Sequence, residues 1–60
     1  MFKIDDEVKI ISKNNDNYGR IGKVSILKDW SNDQQIIRVA FSNANTFDYT
    51  DVISWGAKRV

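Results

Sequence analysis

Two runs of alternating apolar and polar residues, Val8-Lys9-Ile10-Ile11-Ser12 and Ile21-Gly22-Lys23-Val24-Ser25-Ile26, flank a polar loop that ends in Tyr18-Gly19-Arg20. A period of two marks a strand that buries one face and leaves the other in water. Gly19 and Gly22 stand three residues apart, where the chain must first turn and then bend into the second strand. A flat sheet of so few residues would leave one face wet and two edges open. The pattern therefore predicts a small, strongly bent sheet closed into a barrel.

The remaining segments extend that reading. Val8 and Ile10 point inward on the first strand, and Ile11 breaks the alternation, as a bulge or a turn between sheet faces would. The second strand, Ile21 to Leu27, places Gly22, Val24 and Ile26 on one face and Lys23 and Ser25 on the other. Lys28-Asp29-Trp30-Ser31-Asn32-Asp33 is a turn region. Ile36 to Phe41 forms a third strand with Ile37, Val39 and Phe41 together and Arg38 opposite. A fourth short strand, Thr46 to Tyr49, follows the polar tract Ser42-Asn43-Ala44-Asn45. Thr50-Asp51-Val52-Ile53 reads as one tight helical turn capped by Thr50 or Asp51, and Trp55 opens a brief last strand ending near Arg59 and Val60. Five short strands at regular spacing give an all-β fold, a small five-stranded barrel with one short 3-10 turn before the last strand. No segment has the length and periodicity of an amphipathic helix, which disfavours a two-layer α+β fold. Residues 1–60 make a single domain, so small that nearly all its large apolar side chains are needed inside. Phe41 and Phe47 are assigned to the core, and Tyr49 and Trp55 to half-buried walls.

Cysteine and histidine are both absent. Disulfides, Cys/His metal sites and nucleophilic chemistry built on Cys or a Ser-His pair are thereby excluded. A small domain that folds without cross-links suits a reducing cytoplasm. No apolar run approaches a membrane span, and Met1-Phe2-Lys3-Ile4-Asp5-Asp6-Glu7 is too acidic for a secretory signal. That acidic run reads as a solvated turn leading into the first strand. A carboxylate acting in catalysis needs a pocket that shifts its pKa, and so small a barrel has little interior for one. Gly19 and Gly22 lack the spacing and the following helix of a phosphate-cradling loop. The expectation is a non-catalytic protein with no cofactor and no metal.

The net charge of +1 conceals an asymmetry: residues 1–7 sum to −2, residues 8–28 to +4 and residues 29–60 to −1. Lys9, Lys13, Arg20, Lys23 and Lys28 make the middle third basic against Asp16 alone. Lys13 and Arg20 fall at the two ends of the first loop, and Lys9 and Lys23 point outward from adjacent strands. Like charges on neighbouring strands repel, so such a patch is better tolerated with an anionic partner than without one. An ordinary solvated face is the competing account. Tyr18 and Trp30 lie in loop positions beside these cations, where an aromatic ring can stack on an unpaired base or fold back over an open barrel end.

The segment Val8-Lys9-Ile10-Ile11 with Tyr18-Gly19-Arg20-Ile21-Gly22-Lys23-Val24 resembles the KOW motif, which opens an SH3-like barrel. Val39-Ala40-Phe41, the aromatic pair Phe47 and Tyr49, and Asp51-Val52-Ile53 are similar to the way such barrels continue, so the resemblance spans about residues 4 to 55. It implies an SH3-like fold and contact with RNA, a ribosome or a polymerase. Two features depart from the motif. The glycine usual soon after the first strand is replaced by Lys13-Asn14, and the loop before Gly19 is longer and Asn-rich. Both are similar to the small SH3-like subunit on the stromal side of photosystem I, which implies a protein partner.

Two functions follow for what is expected to be a cytoplasmic monomer. In the first, Lys9, Lys13, Arg20 and Lys23 hold phosphates of RNA or a ribonucleoprotein while Tyr18 and Trp30 stack on bases. In the second, the same loop face and Trp30 dock on an acidic protein surface. The abundance of Ile, Lys and Asn fits an AT-rich coding genome, as in low-GC bacteria and phages.

Overall fold

The structure, a computed structural model, describes residues 2–31, 34–42 and 47–60, with the backbone alone for residues 30, 31, 42 and 47. It contains five strands: β1 (Glu7–Ile10), β2 (Ile21–Ser31), β3 (Gln34–Ser42), β4 (Phe47–Ile53) and β5 (Ala57–Arg59). A 3-10 turn, Ser54–Gly56, joins β4 to β5. All neighbours pair antiparallel in one sheet of order β4-β3-β2-β1-β5.

The alternation in the sequence builds the core directly. Val8 and Ile10 of β1, Val24 of β2, and Ile37 and Val39 of β3 are fully buried, and Phe41, Val52 and Ala57 complete the cluster. Phe2 and Leu27 pack against it from the side. Lys9, between Val8 and Ile10, is exposed. Gly22 lies where β2 crosses close to β3: a Cβ added there would stand 2.5 Å from the Ala40 carbonyl oxygen and 2.8 Å from the Phe41 ring. Only the residue without a side chain lets the two strands approach so closely.

The middle of β2 departs from the expected register. Val24 pairs with Val39 and Ile26 with Arg38, leaving Ser25 as the extra residue of a bulge, its hydroxyl 3.3 Å from the Arg38 carbonyl oxygen. A bulge inverts the side-chain parity of everything after it. Ile26, expected inside, is accordingly exposed, and Leu27 turns inward instead. β2 also continues through Lys28, Asp29 and Trp30, which had read as a turn, with a second irregularity between Asp29 and Ser31.

At the other end β1 stops at Ile10, and the backbone N–H of Ile11 donates to the Gly56 carbonyl at 2.9 Å. The expected helical turn at Thr50–Ile53 is strand, and the actual 3-10 turn comes four residues later. Strand pairing explains the difference, since Thr50, Asp51, Val52 and Ile53 lie opposite Val39, Arg38, Ile37 and Ile36 and are held in β conformation by that ladder. Trp55 belongs to the turn and not to the last strand. Neither Trp55 nor Tyr49 is a half-buried wall residue; they are 65% and 52% exposed. Phe41 is core as expected, while the side chain of Phe47 lies outside the described residues, as do residues 43–46.

The loop between β1 and β2 is organised by its asparagines. Asn15 Oδ1 accepts from the Asn17 N–H at 2.8 Å, an Asx turn, and Asn15 Nδ2 donates to Thr50 Oγ1 of β4 at 3.0 Å. Gly19, with φ of 86°, closes the loop by donating to the Ile10 carbonyl at 2.9 Å. The Asp5-Asp6-Glu7 run turns at Asp5 (φ 74°), and Glu7 enters β1.

Candidate polyanion-binding face

Strand register decides which charges share a surface, because directly paired residues project to the same side of a sheet. Lys9 lies opposite Ile21 of β2 on one flank and opposite Lys58 of β5 on the other. Lys23, two residues beyond Ile21, is therefore the diagonal neighbour of Lys9, and Glu7 stands opposite it. The outer face of β5, β1 and β2 thus carries Lys58, Lys9 and Lys23 around a half-exposed Ile21, with Glu7 as its acid.

Arginines and lysines are used differently. Arg20 donates from Nη1 to Asp48 Oδ2 at 2.7 Å and to Asn17 Oδ1 at 2.8 Å, and its guanidinium carbon lies 4.1 Å from the centroid of the Phe41 ring. Arg38 pairs with both carboxylate oxygens of Asp51 at 2.9 and 3.2 Å and covers Tyr49 at 4.2 Å. Arg59 reaches Asp6 at 3.1 Å. Among the described residues, every ion pair takes an arginine, and the lysines of the outer face have no acid within bonding distance. The planar guanidinium suits such forked and stacked contacts, whereas the lysine ammonium is a solvated point charge.

Two of these pairs leave a mark on titration. The bond from Arg38 holds the Asp51 carboxyl below its ordinary value. The Lys3 backbone N–H, at 2.8 Å from Asp6 Oδ2, followed by Arg59, holds Asp6 down in the same way.

Of the residues named from the sequence, the structure brings Lys9 and Lys23 together on one face. Lys13 is exposed within the first loop, at the tight turn closed by the Asn15 N–H on the Ser12 carbonyl. Tyr18 is 53% exposed on the same loop, one residue before Gly19. Arg20 faces β3 and β4 and ties the loop to them through Asp48 and Phe41. The side chain of Trp30 lies outside the described residues. Two further residues enter that sequence reasoning missed. Lys58 is separated from Lys9 by 49 positions and reaches it only through β1–β5 pairing, so no local signal announces it. Trp55 reads from the sequence as the start of the last strand, whereas β5 begins two residues later at Ala57 and Trp55 lies exposed in the 3-10 turn.

Beside Trp55 is a shallow groove of about 210 Å³ between the first loop and the 3-10 turn, with Ser12, Asn14 and Asn15 on one side and Trp55 and Gly56 on the other. A second groove, of about 340 Å³, runs over the outer face of β2, β3 and β4 past Ile26, Ile36, Arg38 and Ile53. No group of His, Cys, Asp or Glu among the described residues is arranged to hold a metal ion. No protein-family model, curated protein or solved structure matches the chain.

Proposed function

We propose that this chain is a non-catalytic binding module of SH3-like, KOW-like architecture that takes RNA, alone or within a ribonucleoprotein, on the outer face of β5, β1 and β2. Three features support the barrel reading. The strand order places β5 and β4 at the two edges of the sheet, and β2 changes partner along its length, pairing with β1 over residues 21–23 and with β3 from Lys23 onward, with the Ser25 bulge just beyond that point. The first loop crosses to β4 through Asn15–Thr50 and Arg20–Asp48.

One observation carries the function: Lys9 and Lys58 are direct cross-strand partners, with Lys23 diagonal to Lys9, and no acid among the described residues bonds any of them. Directly opposed like charges destabilise a sheet, while the same arrangement matches a row of phosphates. The arginines, already committed within the fold, are not the phosphate ligands in this reading; Lys9, Lys23, Lys58 and Lys13 are. Single-stranded RNA suits an exposed loop edged with aromatic rings better than a duplex, whose bases are stacked away.

Binding to a single-stranded RNA, measured as salt is raised, tests this. Three to four phosphate contacts give a log–log slope of roughly −2 to −3. Lys9→Gln with Lys58→Gln is expected to flatten that slope and weaken binding while the domain stays folded. Absence of binding at low salt, or an affinity indifferent to salt, overturns the proposal. The alternative partner, an acidic protein surface, is favoured by one feature, the half-exposed Ile21 among the lysines, which would add apolar contact. A protein partner lost on Lys9→Gln, with no RNA bound, would establish it.

A further inference from the structure

Trp55 is the largest side chain in the described part of the molecule and stands 65% exposed, in a domain that can spare little apolar area. The backbone that carries it is hydrogen-bonded on both sides. The Ala57 N–H closes the 3-10 turn on the Ser54 carbonyl, and the Gly56 carbonyl accepts from Ile11 at 2.9 Å. Across the groove, Asn15 is held by Thr50 and Asn17, but among the described residues the side chains of Ser12, Asn14 and Trp55 make no hydrogen bond. An exposed aromatic surface therefore shares the groove with an amide and a hydroxyl whose donors and acceptors are unused. Asp51, in the same wall, is already neutralised by Arg38.

The groove holds about 210 Å³, below the roughly 300–1,000 Å³ of sites that enclose a whole small ligand. It fits one flat ring of a ligand anchored elsewhere. Cationic anchors lie close along the chain: Lys13 sits between the groove residues Ser12 and Asn14, and Lys58 of the lysine face follows Trp55 by three residues. We infer that Trp55, with Asn14 and Ser12, forms a pocket for a single unpaired base, stacked on the indole and read at its edge by the amide and hydroxyl. This inference rests on the RNA reading and adds a base site to its phosphate face.

Two measurements separate the pocket from the phosphate face. In ¹H–¹⁵N spectra, the Trp55 indole resonance is expected to move on titration with uridine or adenosine monophosphate and to stay in place with ribose 5-phosphate. An equal response to ribose 5-phosphate, no response to the nucleotides, or a response to an acidic peptide in their stead would overturn the pocket, whatever the lysines do. Against a single-stranded RNA of about ten nucleotides, Trp55→Ala is expected to weaken binding roughly ten-fold with the salt slope unchanged, and Trp55→Phe to restore part of the loss. Wild-type affinity in Trp55→Ala, alongside weakened binding in Lys9→Gln, would remove the pocket and leave the phosphate face standing. Absence of RNA binding in the wild type would remove the RNA reading itself, and the nucleotide titration would then decide the pocket alone.

Discussion

Arg20 joins three parts of the chain that are distant in sequence. Its guanidinium bonds Asp48 of β4 and Asn17 of its own loop and lies on Phe41 of β3. A partly exposed ion pair contributes little alone, and the ring contact contributes a similar amount, so Arg20→Ala is expected to lower stability by about 1–2 kcal/mol in denaturant unfolding. Arg20→Lys should recover less than half, because an ammonium has no planar face to lie on Phe41 while it donates to Asp48 and Asn17. The residue was legible as a cation at the loop end but not as a latch, since Asp48 and Phe41 are brought to it only by the folded sheet. Asp6 and Asp51 carry a second consequence. Both have folded-state carboxyls lowered from the ordinary 3.8, Asp6 by the Lys3 N–H and Arg59, Asp51 by Arg38. The native state then binds fewer protons than the unfolded chain in acid. Their stabilisation is complete above 3.8 and disappears as the pH falls through the lowered values. Thermal melts between about pH 5 and pH 2 should show the midpoint falling, and Asp6→Asn with Asp51→Asn should flatten that fall. An equally steep acid profile in the double variant would mean other carboxyls control it.

At the level of elements, β2 separates what periodicity can convey from what it cannot. Gly22 and Val24 sit inside as their alternation requires, but the Ser25 bulge then exchanges the roles of Ile26 and Leu27. Nothing in Val24-Ser25-Ile26-Leu27 marks one apolar residue over the next. The choice is made by β3, whose Ile37 and Val39 must both face the core while Arg38 faces out to Asp51. Leu27→Ser is accordingly expected to destabilise by about 2–3 kcal/mol and Ile26→Ser by less than about 1 kcal/mol, the reverse of uninterrupted alternation. Equal losses would place the bulge elsewhere. Gly22→Ala probes the same strand at its crossing with β3. Its Cβ would meet backbone at Ala40, which cannot rotate away, so a loss at the upper end of the roughly 1–3 kcal/mol typical of overpacking is expected. The 3-10 turn was expected in the right kind but four residues early. Thr50-Asp51 can cap a helix, and that local preference is overridden by the ladder to Val39 and Arg38.

For the molecule as a whole, charge is divided by residue type. Arginines link the loop, the outer face of β3–β4 and the two chain ends; among the described residues no lysine forms an ion pair, although Glu7 stands opposite Lys23 in the ladder. The basic middle third was visible in the sequence, but the patch it forms was not, because β5 contributes Lys58 from the far end of the chain and Arg20 leaves to bond β4. A face assembled this way places stability and binding in opposition. Lys58→Glu would set an acid opposite Lys9, turning a repulsive cross-strand pair into an attractive one, and is expected to stabilise the fold by about 0.2–1 kcal/mol at low salt. That gain should shrink as salt screens the pair. On the proposed RNA reading the same substitution would remove one phosphate contact and add a repulsion, so RNA binding should weaken and the salt slope should lose about 0.7 or more. A protein that melts higher and binds less, both effects fading with salt, is what a lysine face maintained for an anion predicts. If Lys58→Glu melts higher with RNA affinity and slope unchanged, the phosphates are held elsewhere and the opposed lysines are only a solvated edge of the sheet.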